Sequence, residues 1–402
     1  MQPISVSHPG DSLRLKTLPP LSLYIHIPWC VRKCPYCDFN SHEARDEVPE
    51  DAYVDALLRD VERALPQIWG RRIHTIFFGG GTPSLFSAGG IDRILCGVRA
   101  LLPLEQYAEV TLEANPGTFE AAKFRDFHAA GINRLSLGIQ SFNDGHLRAL
   151  GRIHNATEAR QAVASACAIF ANINLDLMYG LQGQSEAEAI DDIDIATSFP
   201  VQHLSAYNLT IEPNTAFAHA PPPLPDNDAC FAMQQSIETR LRECGFERYE
   251  ISAFARAAKR CRHNLNYWQF GDYLGIGAGA HSKISLPHEI RRSARYKNPR
   301  RYLEANDSGD SVEASHRVAP AELGFEFMLN ALRLIDGVEN DLFERTTSLP
   351  LTTLRAGLDE AEQRGLLQCD HKRLAASPLG LRFLNDLISV FLPPQPVRTT
   401  SR

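Results

Sequence analysis

Strand-like and helix-like segments alternate along the first 210 residues, and this rhythm constrains the fold more than any other feature. Apolar runs predict strands at 21–27, 73–78, 109–113, 134–139, 172–178 and 203–209, with helical patterns between them. Such alternation indicates parallel βαβ units. The sequence therefore predicts an α/β fold built on a partial (βα)6 barrel, short of the usual eight units.

The alternation of strand and helix patterns ends at about residue 250. Residues 271–279 are rich in glycine, and residues 287–320 are polar and basic with little periodicity. Helical patterns return at 320–334, 351–367 and 378–391, around a short extended stretch at 366–374. We expect a flexible arm at 1–20, the barrel at 21–250, a connecting segment at 251–319, a mainly helical, winged-helix-like domain at 320–392 and a flexible tail at 393–402.

The amino-acid composition argues against some classes of protein. The 402 residues carry 41 Lys and Arg against 48 Asp and Glu, a formal net charge of −7, which argues against a broad nucleic-acid footprint. We find no secretory leader and no apolar run of membrane-spanning length. Nine cysteines without a leader fit a reducing compartment. We expect a cytoplasmic protein, and peripheral membrane association through partners stays open.

Three cysteines follow the first predicted strand at close spacing. Cys30, Cys34 and Cys37 form a Cys-x3-Cys-x2-Cys array. Soft thiolate ligands select zinc or an iron–sulfur cluster. Three ligands are too few to close a structural zinc site, which takes four. A cubane [4Fe–4S] cluster on three cysteines leaves one iron open for another ligand. A zinc-stabilised binding module is the alternative.

This array resembles the signature of radical S-adenosylmethionine (SAM) enzymes. The string Tyr-x-His-Ile-Pro-x-Cys that begins at Tyr24 is similar to the oxygen-independent coproporphyrinogen III oxidase group, and the run Phe39-Asn40-Ser41 most resembles its heme-chaperone branch, HemW. The resemblance spans roughly residues 20–392. It implies a [4Fe–4S] cluster on the three cysteines and SAM on the open iron, whose reductive cleavage gives a 5′-deoxyadenosyl radical.

Further candidate residues lie at or near the ends of predicted strands, where parallel βα folds bind ligands. The segment containing Gly80, Gly81 and Thr82 resembles the family segment that holds the amino group of SAM. A carboxylate suits an amine or ribose hydroxyls, and an arginine suits the carboxylate of SAM. The resemblance extends the set of SAM-contacting residues to Tyr24, Glu113, Gln140, Arg152 and Asp176.

A second motif points to heme. His263-Asn264-Leu265-Asn266-Tyr267 matches the His-Asn-x-x-Tyr motif associated with heme handling in the chaperone branch. Histidine is a common axial heme ligand, so the resemblance implies heme b at His263. Cys261 is an alternative soft ligand. By itself, such a histidine is more often a capping or surface residue.

One position separates two functions. In the oxidases proper, another cysteine stands two positions after the third cluster cysteine, and Phe39 stands there in this chain. The resemblance therefore favours a heme-binding chaperone that delivers heme to apo-proteins such as respiratory enzymes, with oxidase activity absent. The alternative is an oxygen-independent coproporphyrinogen III oxidase, which decarboxylates two propionates by radical chemistry.

Overall fold

A computed structural model describes residues 13–370 and 372–393. The elements up to residue 208 are β1 (Leu21–Ile27), β2 (Trp29–Cys30), β3 (His42–Glu43), α1 (Glu50–Ile68), β4 (Ile73–Gly80), a 3-10 turn (Pro83–Leu85), α2 (Ala88–Leu101), β5 (Leu104–Ala114), α3 (Thr118–Ala130), β6 (Arg134–Gln140), α4 (Asp144–Ala149), α5 (Ala156–Cys167), β7 (Ile173–Tyr179), α6 (Glu186–Ser198) and β8 (His203–Asn208).

The later elements are α7 (Ala216–His219), α8 (Asn227–Glu243), β9 (Glu247–Arg248), β10 (Ala253–Ala255), α9 (Arg262–Trp268), β11 (Asp272–Ile276), β12 (His281–Leu286), β13 (Glu289–Arg295), α10 (Pro299–Ser308), β14 (Val312–Arg317), α11 (Pro320–Ala331), β15 (Val338–Glu339), α12 (Asn340–Thr347), a 3-10 turn (Leu351–Leu354), α13 (Arg355–Gln363), β16 (Leu367–Cys369), β17 (Arg373–Ala376), α14 (Pro378–Arg382) and α15 (Leu384–Ser389).

The predicted parallel strands are confirmed. Strands β1, β4, β5, β6, β7 and β8 are neighbours in this order, and each pair is parallel. Side chains such as Ile25, Ile76 and Leu112 are fully buried in one apolar core with Leu57 of α1 and Ile94 of α2. Removal of this apolar surface from water is the main stabilising contribution, and the connections bring the carboxyl ends of the strands to one edge.

The segment 251–319 is more ordered than the sequence suggested. It supplies five strands of the twelve-stranded sheet, whose order is β14-β13-β12-β11-β1-β4-β5-β6-β7-β8-β10-β9. Strand β11 is parallel to β1, and β12, β13 and β14 continue as an antiparallel extension. The sequence shows no strand pattern here, because an antiparallel strand at a sheet edge can be exposed to solvent and β14 carries mostly exposed residues.

Residues 1–12 of the arm expected at 1–20 lie outside the described residues. Residues 13–20 contact the rest of the folded chain. Leu13 and Leu15 are buried in the core of the C-terminal domain. The amide of Leu15 donates to Pro287 O at 3.1 Å, and Arg71 donates to Pro19 O. Apolar burial therefore anchors this part of the expected arm. In the expected tail, residues 394–402 also lie outside the described residues.

The C-terminal region is mainly helical, as predicted. Its helices α11, α12, α13, α14 and α15 surround a small sheet of order β15-β17-β16. Helix α12 was not predicted because its eight residues are too few for a clear periodicity. The helix predicted at 378–391 is divided at Phe383. Among the described residues, no helix is long and apolar enough to cross a membrane.

A buried ion-pair network fixes the position of β11. Asp272 is fully buried and accepts hydrogen bonds from Arg71 at 2.7 Å and from Lys283 at 2.9 Å. It also accepts from the amide and hydroxyl of Ser285, each at 2.8 Å. A buried carboxylate is tolerated only with such partners. The network therefore joins β11 to β12 and to the loop that precedes β4.

We expect Asp272→Asn to lower the free energy of unfolding by about 3–5 kcal/mol, because the substitution leaves the buried Lys283 ammonium without a counter-charge. Chemical denaturation followed by circular dichroism measures the change. Asp307→Asn is the matched control, since its ion pair with Arg59 lies on the surface and should contribute little. Equal stability of the two variants would contradict a structural role for the network.

Candidate functional site

The three predicted cluster cysteines lie on one loop at the carboxyl end of β1. Cys30 ends β2, and Cys34 and Cys37 follow in residues 28–41, which we name the cluster loop. The amide of Cys37 donates to Cys34 O at 3.1 Å, and the amide of Ala44 donates to Cys30 O at 2.8 Å. Lys33 Nζ donates to the carbonyls of Phe39 and Ser41. These bonds hold the loop in a defined shape.

Two of the cysteines lie where burial disfavours the thiolate form in the absence of a metal. Burial raises the pKa of Cys30 and that of Cys37 above the ordinary value of a thiol. Binding of cationic iron would favour the thiolate forms. Within 13–370 and 372–393, no three His, Cys, Asp or Glu side chains converge on a single ion. Cluster ligands need not converge in that way, because each thiolate bonds a different iron.

The glycine segment after β4 packs against the cluster loop. The amide of Gly81 donates to Ile27 O at 2.8 Å, and that of Thr82 donates to Trp29 O at 2.7 Å. A Cβ added at Gly81 would lie 2.5 Å from Trp29 O, so no side chain fits there. Gly80 has a φ of +116°, which favours glycine. Close packing of this backbone against Trp29 therefore requires glycine at position 81.

Arg152 connects the cluster loop to the interior of the barrel. It donates to Asn115 Oδ1 at 2.6 Å and to Gly138 O at 2.8 Å, and its Nη1 lies 3.5 Å from Cys34 Sγ. In the described part of the chain, its buried Nε has no hydrogen-bond partner. An unpaired buried donor is costly, and a carboxylate ligand would satisfy it.

Two carboxylates, Glu113 on β5 and Asp176 on β7, lie near each other with one strand between them. Glu113 accepts a hydrogen bond from the Gly80 amide at 3.3 Å. Burial, and then the negative charge of Asp176, raise the pKa of Glu113 to about 8. Asp176 accepts from Ser136 Oγ at 2.8 Å and from Asn174 Nδ2 at 2.9 Å. An ammonium group placed near Glu113 would reverse this shift by favouring the carboxylate.

One cavity of about 710 Å³, the first cavity, brings most of the predicted residues together. Its lining includes Cys30, Cys34, Cys37, Gly80, Gly81, Thr82, Glu113, Gln140, Arg152 and Asp176. Gln140 has a φ of +68°, a strained conformation for a residue with a side chain, at a register shift between β6 and β7.

The sequence analysis missed Asn115 in this cavity. Its side chain donates to Thr82 Oγ1 at 3.0 Å and accepts from Arg152. The available signal was its place directly after β5, at the same sheet edge as Glu113. Asn115 therefore couples the glycine segment to the arginine.

The donor set of the first cavity fits a [4Fe–4S] cluster with SAM. Three cysteines supply soft sulfur atoms. The same cavity contains a carboxylate, the backbone of a glycine segment and an arginine with an unpaired N–H, which suit an amino acid group. The volume is within the usual range for ligand pockets.

A second cavity of about 710 Å³ adjoins the first. The two share Asp38, Phe39, Gly80 and Glu113 in their linings. Tyr24 lines the second cavity and not the first, and its hydroxyl bonds His26 Nδ1 at 3.0 Å. Tyr24 therefore lies in the cavity next to the first one, and its contact with SAM stays a prediction.

His263 lies outside both cavities. Its side chain is buried, with Nδ1 at 2.8 Å from Thr75 Oγ1 and Nε2 at 3.0 Å from Tyr267 OH. Burial, and then the charge of Arg134, lower its pKa to about 3. Both ring nitrogens of His263 therefore have hydrogen-bond partners in this structure, and ligation of heme by His263 stays a prediction. Cys261 is also buried, beside Glu109.

Comparisons with known proteins give the family of this chain. Residues 24–196 match the radical SAM superfamily, and residues 318–383 match the HemN C-terminal domain. The heme chaperone HemW of Escherichia coli is 46% identical over 379 residues, which cover 93% of this chain and 99% of the relative. The heme chaperone HemW of Haemophilus influenzae is also 46% identical, over 93% of this chain and 98% of the relative.

The chain belongs to the HemW family. A heme chaperone HemW of Bacillus subtilis is 32% identical over 92% of this chain and 99% of the relative, so the similarity spans distant members. The solved structure of the coproporphyrinogen III oxidase HemN from E. coli superposes with a TM-score of 0.79 and covers 93% of this chain and 90% of that one. At 22% identity, that likeness shows the fold alone.

The raised pKa of Glu113 predicts a pH-dependent stability. The folded carboxyl titrates at about 8 and the unfolded one near its ordinary value of 4.5, so the folded chain binds more protons between these values. Stability of the ligand-free protein should fall as pH rises through this range. We expect Glu113→Gln to raise the melting temperature by about 1–3 °C at pH 8.5 and little at pH 5.

Thermal unfolding at several pH values tests the Glu113 prediction. Glu313→Gln, at an exposed carboxylate on β14, is the control and should change neither the stability nor its pH dependence. A Glu113→Gln variant that melts with the pH profile of the wild type would show that this carboxyl is ionised in the folded protein.

We expect Cys30→Ala, Cys34→Ala and Cys37→Ala each to abolish iron–sulfur absorption after anaerobic reconstitution, because no described fourth cysteine lies in the cavity to replace a lost ligand. Visible spectra with iron and sulfide analysis measure this loss. Cys96→Ala removes an exposed thiol of α2 and should leave the spectrum intact. One bound zinc without iron–sulfur absorption in the wild type would favour the zinc-module alternative.

Proposed function

We propose that this chain is a heme-binding chaperone on a radical SAM scaffold. It holds a [4Fe–4S] cluster and SAM in the first cavity, binds heme b, and passes the heme to heme-requiring apo-proteins. The observation that carries the proposal is the near full-length similarity to HemW heme chaperones, and it is supported by a cavity that brings the three cysteines and most of the predicted SAM residues together.

The residues of the first cavity have distinct tasks in this proposal. Cys30, Cys34 and Cys37 hold the cluster, and Arg152 presents its unpaired Nε to the carboxylate of SAM. Glu113 and the glycine segment receive the amino group. When bound, the cluster supplies one-electron chemistry toward SAM. The packed loops limit the access of water to the sulfur ligands, and Cys30 is only 9% exposed.

Phe39 favours chaperone over oxidase activity. It stands where the oxidases resembled by the motif carry a further cysteine, and its ring is 60% exposed at the wall shared by the two cavities. A thiol at this place could serve as a reactive group, and a phenyl ring offers only apolar contact. Decarboxylation of coproporphyrinogen III is the second candidate function, supported by the likeness in fold to the HemN oxidase.

The acceptors of the heme are proposed from resemblance. They are apo-proteins such as respiratory enzymes, which this chain would meet in the cytoplasm or at a membrane surface through the partner. The net charge of −7 supports the absence of nucleic-acid partners.

A paired assay on anaerobically reconstituted protein tests the proposed function. One sample receives SAM, a reductant and coproporphyrinogen III, and is analysed for protoporphyrinogen. The other is titrated with hemin and then mixed with apo-myoglobin as a heme acceptor. We expect one saturable heme per chain, transfer to the acceptor and no decarboxylation.

One result of this assay would contradict the proposed chaperone function. Turnover to protoporphyrinogen would overturn the chaperone proposal in favour of the oxidase. Phe39→Cys gives a further comparison, since it restores the thiol at the one position where the motif departs from the oxidases. The HemN oxidase itself is the positive control for turnover.

A further inference from the structure

The second cavity combines aromatic walls with positive charge. Tyr267 and Tyr273 meet edge to face with ring centroids 4.5 Å apart, and Trp268 follows on α9. Phe39 contributes an exposed ring from the cluster loop. Aromatic faces suit a flat apolar ligand, because they offer large contact area at a low cost in conformational entropy. These walls therefore favour a planar conjugated ring system.

The charged residues of this cavity suit carboxylates on such a ring. Lys297 is exposed at the rim and forms no ion pair among the described residues. Arg292 is held at the cavity by Glu326 of α11 at 2.7 Å and by the Tyr273 hydroxyl. Its charge is partly neutralised. Lys283 is paired with Asp272, and Lys33 Nζ donates to two backbone carbonyls of the cluster loop. Lys297 is therefore the lysine of this cavity whose ammonium has no partner among the described residues and can bind a ligand carboxylate. A flat ligand with peripheral carboxylates matches both features.

His281 is the histidine of this cavity whose ring is free. It begins β12, is exposed, and its ring nitrogens have no hydrogen-bond partner within the described chain. His26 also lines the cavity, but its two nitrogens bond Tyr24 OH at 3.0 Å and Asn40 O at 2.8 Å. A free neutral imidazole is a common axial ligand of heme iron.

The His-Asn-x-x-Tyr motif has a different task in this arrangement. The His263 ring lies 5.0 Å from that of Phe77, and its Nε2 bonds Tyr267 OH at 3.0 Å. Tyr267 then packs against Tyr273 at the cavity wall. His263 thus orients an aromatic side chain that the cavity uses, although it does not reach the cavity itself.

We propose that heme binds in the second cavity with His281 as an axial ligand, Lys297 paired with a propionate, and His263 as a positioning residue for Tyr267. One ring nitrogen of His281 donates its lone pair to the iron, and no electron is transferred. This inference rests on the proposed function, since it assigns the place of the heme. It puts the heme beside the first cavity, across the wall formed by Glu113 and Phe39.

Hemin titration of the reconstituted full chain, followed by visible spectroscopy, tests the assignment. We expect His281→Ala to weaken hemin binding at least about tenfold and to lose the spectrum of histidine-ligated heme, with imidazole restoring that spectrum. His263→Gln should keep the ligated spectrum and weaken binding only a few-fold. Lys297→Ala should weaken binding of hemin more than that of hemin dimethyl ester.

His219→Ala is the control, because this exposed histidine lines neither cavity. Melting temperatures verify that each variant is folded. Wild-type hemin binding with an unchanged affinity and spectrum in His281→Ala would overturn the assignment and leave the chaperone function standing. Loss of the ligated spectrum in His263→Ala but not in His281→Ala would also overturn it. No hemin binding by the wild type would instead refute the proposed function.

Discussion

The position of β1 between two parallel neighbours is the constraint on which both cavities depend. Strand β1 pairs with β4 on one side and with β11 on the other. Its carboxyl end continues into the cluster loop, that of β4 into the glycine segment, and that of β11 into the turn before His281. Because parallel strands end at one edge, the two cavities flank the cluster loop.

Hydrogen bonds from the cluster loop stabilise this arrangement on both sides. Toward β4, the Thr82 amide donates to Trp29 O at 2.7 Å. Toward β11, Asn40 Nδ2 donates to Ala278 O at 2.9 Å and to Lys297 O at 2.8 Å. A change in the loop on cluster or SAM binding would therefore reach the turn that carries His281. This continuity gives a physical route by which cofactor state and heme binding can influence each other.

The C-terminal domain contributes to the second cavity rather than standing apart. Glu326 of α11 holds Arg292, and Asn330 of the same helix lines the cavity. Leu13 and Leu15 pack into the core of this domain, so the start of the described chain and its helical end stabilise the same region. The edge extension β12–β14 is thus a structural link between the barrel and the helical domain.

Much of the fold and of the first cavity follows from local patterns. The apolar runs predicted the six parallel strands, because a strand buried on both faces is apolar throughout. The cysteine spacing and the glycine segment predicted residues that line one cavity, because both lie within a few residues of a strand end. Asn115 was missed, since its role depends on contacts with side chains from other strands and loops, and the strained backbone of Gln140 appears only where β6 pairs with β7.

The sequence by itself determined the parallel core, the close spacing of the three cysteines and the family. The tertiary structure decided the rest. Five strands of the polar segment 251–319 pair with the sheet, because hydrogen bonds to the exposed edge of an existing sheet can order strands that lack an apolar pattern. The tertiary structure also buried His263 and left His281 free, since the burial of a histidine depends on how distant strands and helices pack around it and not on its neighbours in sequence.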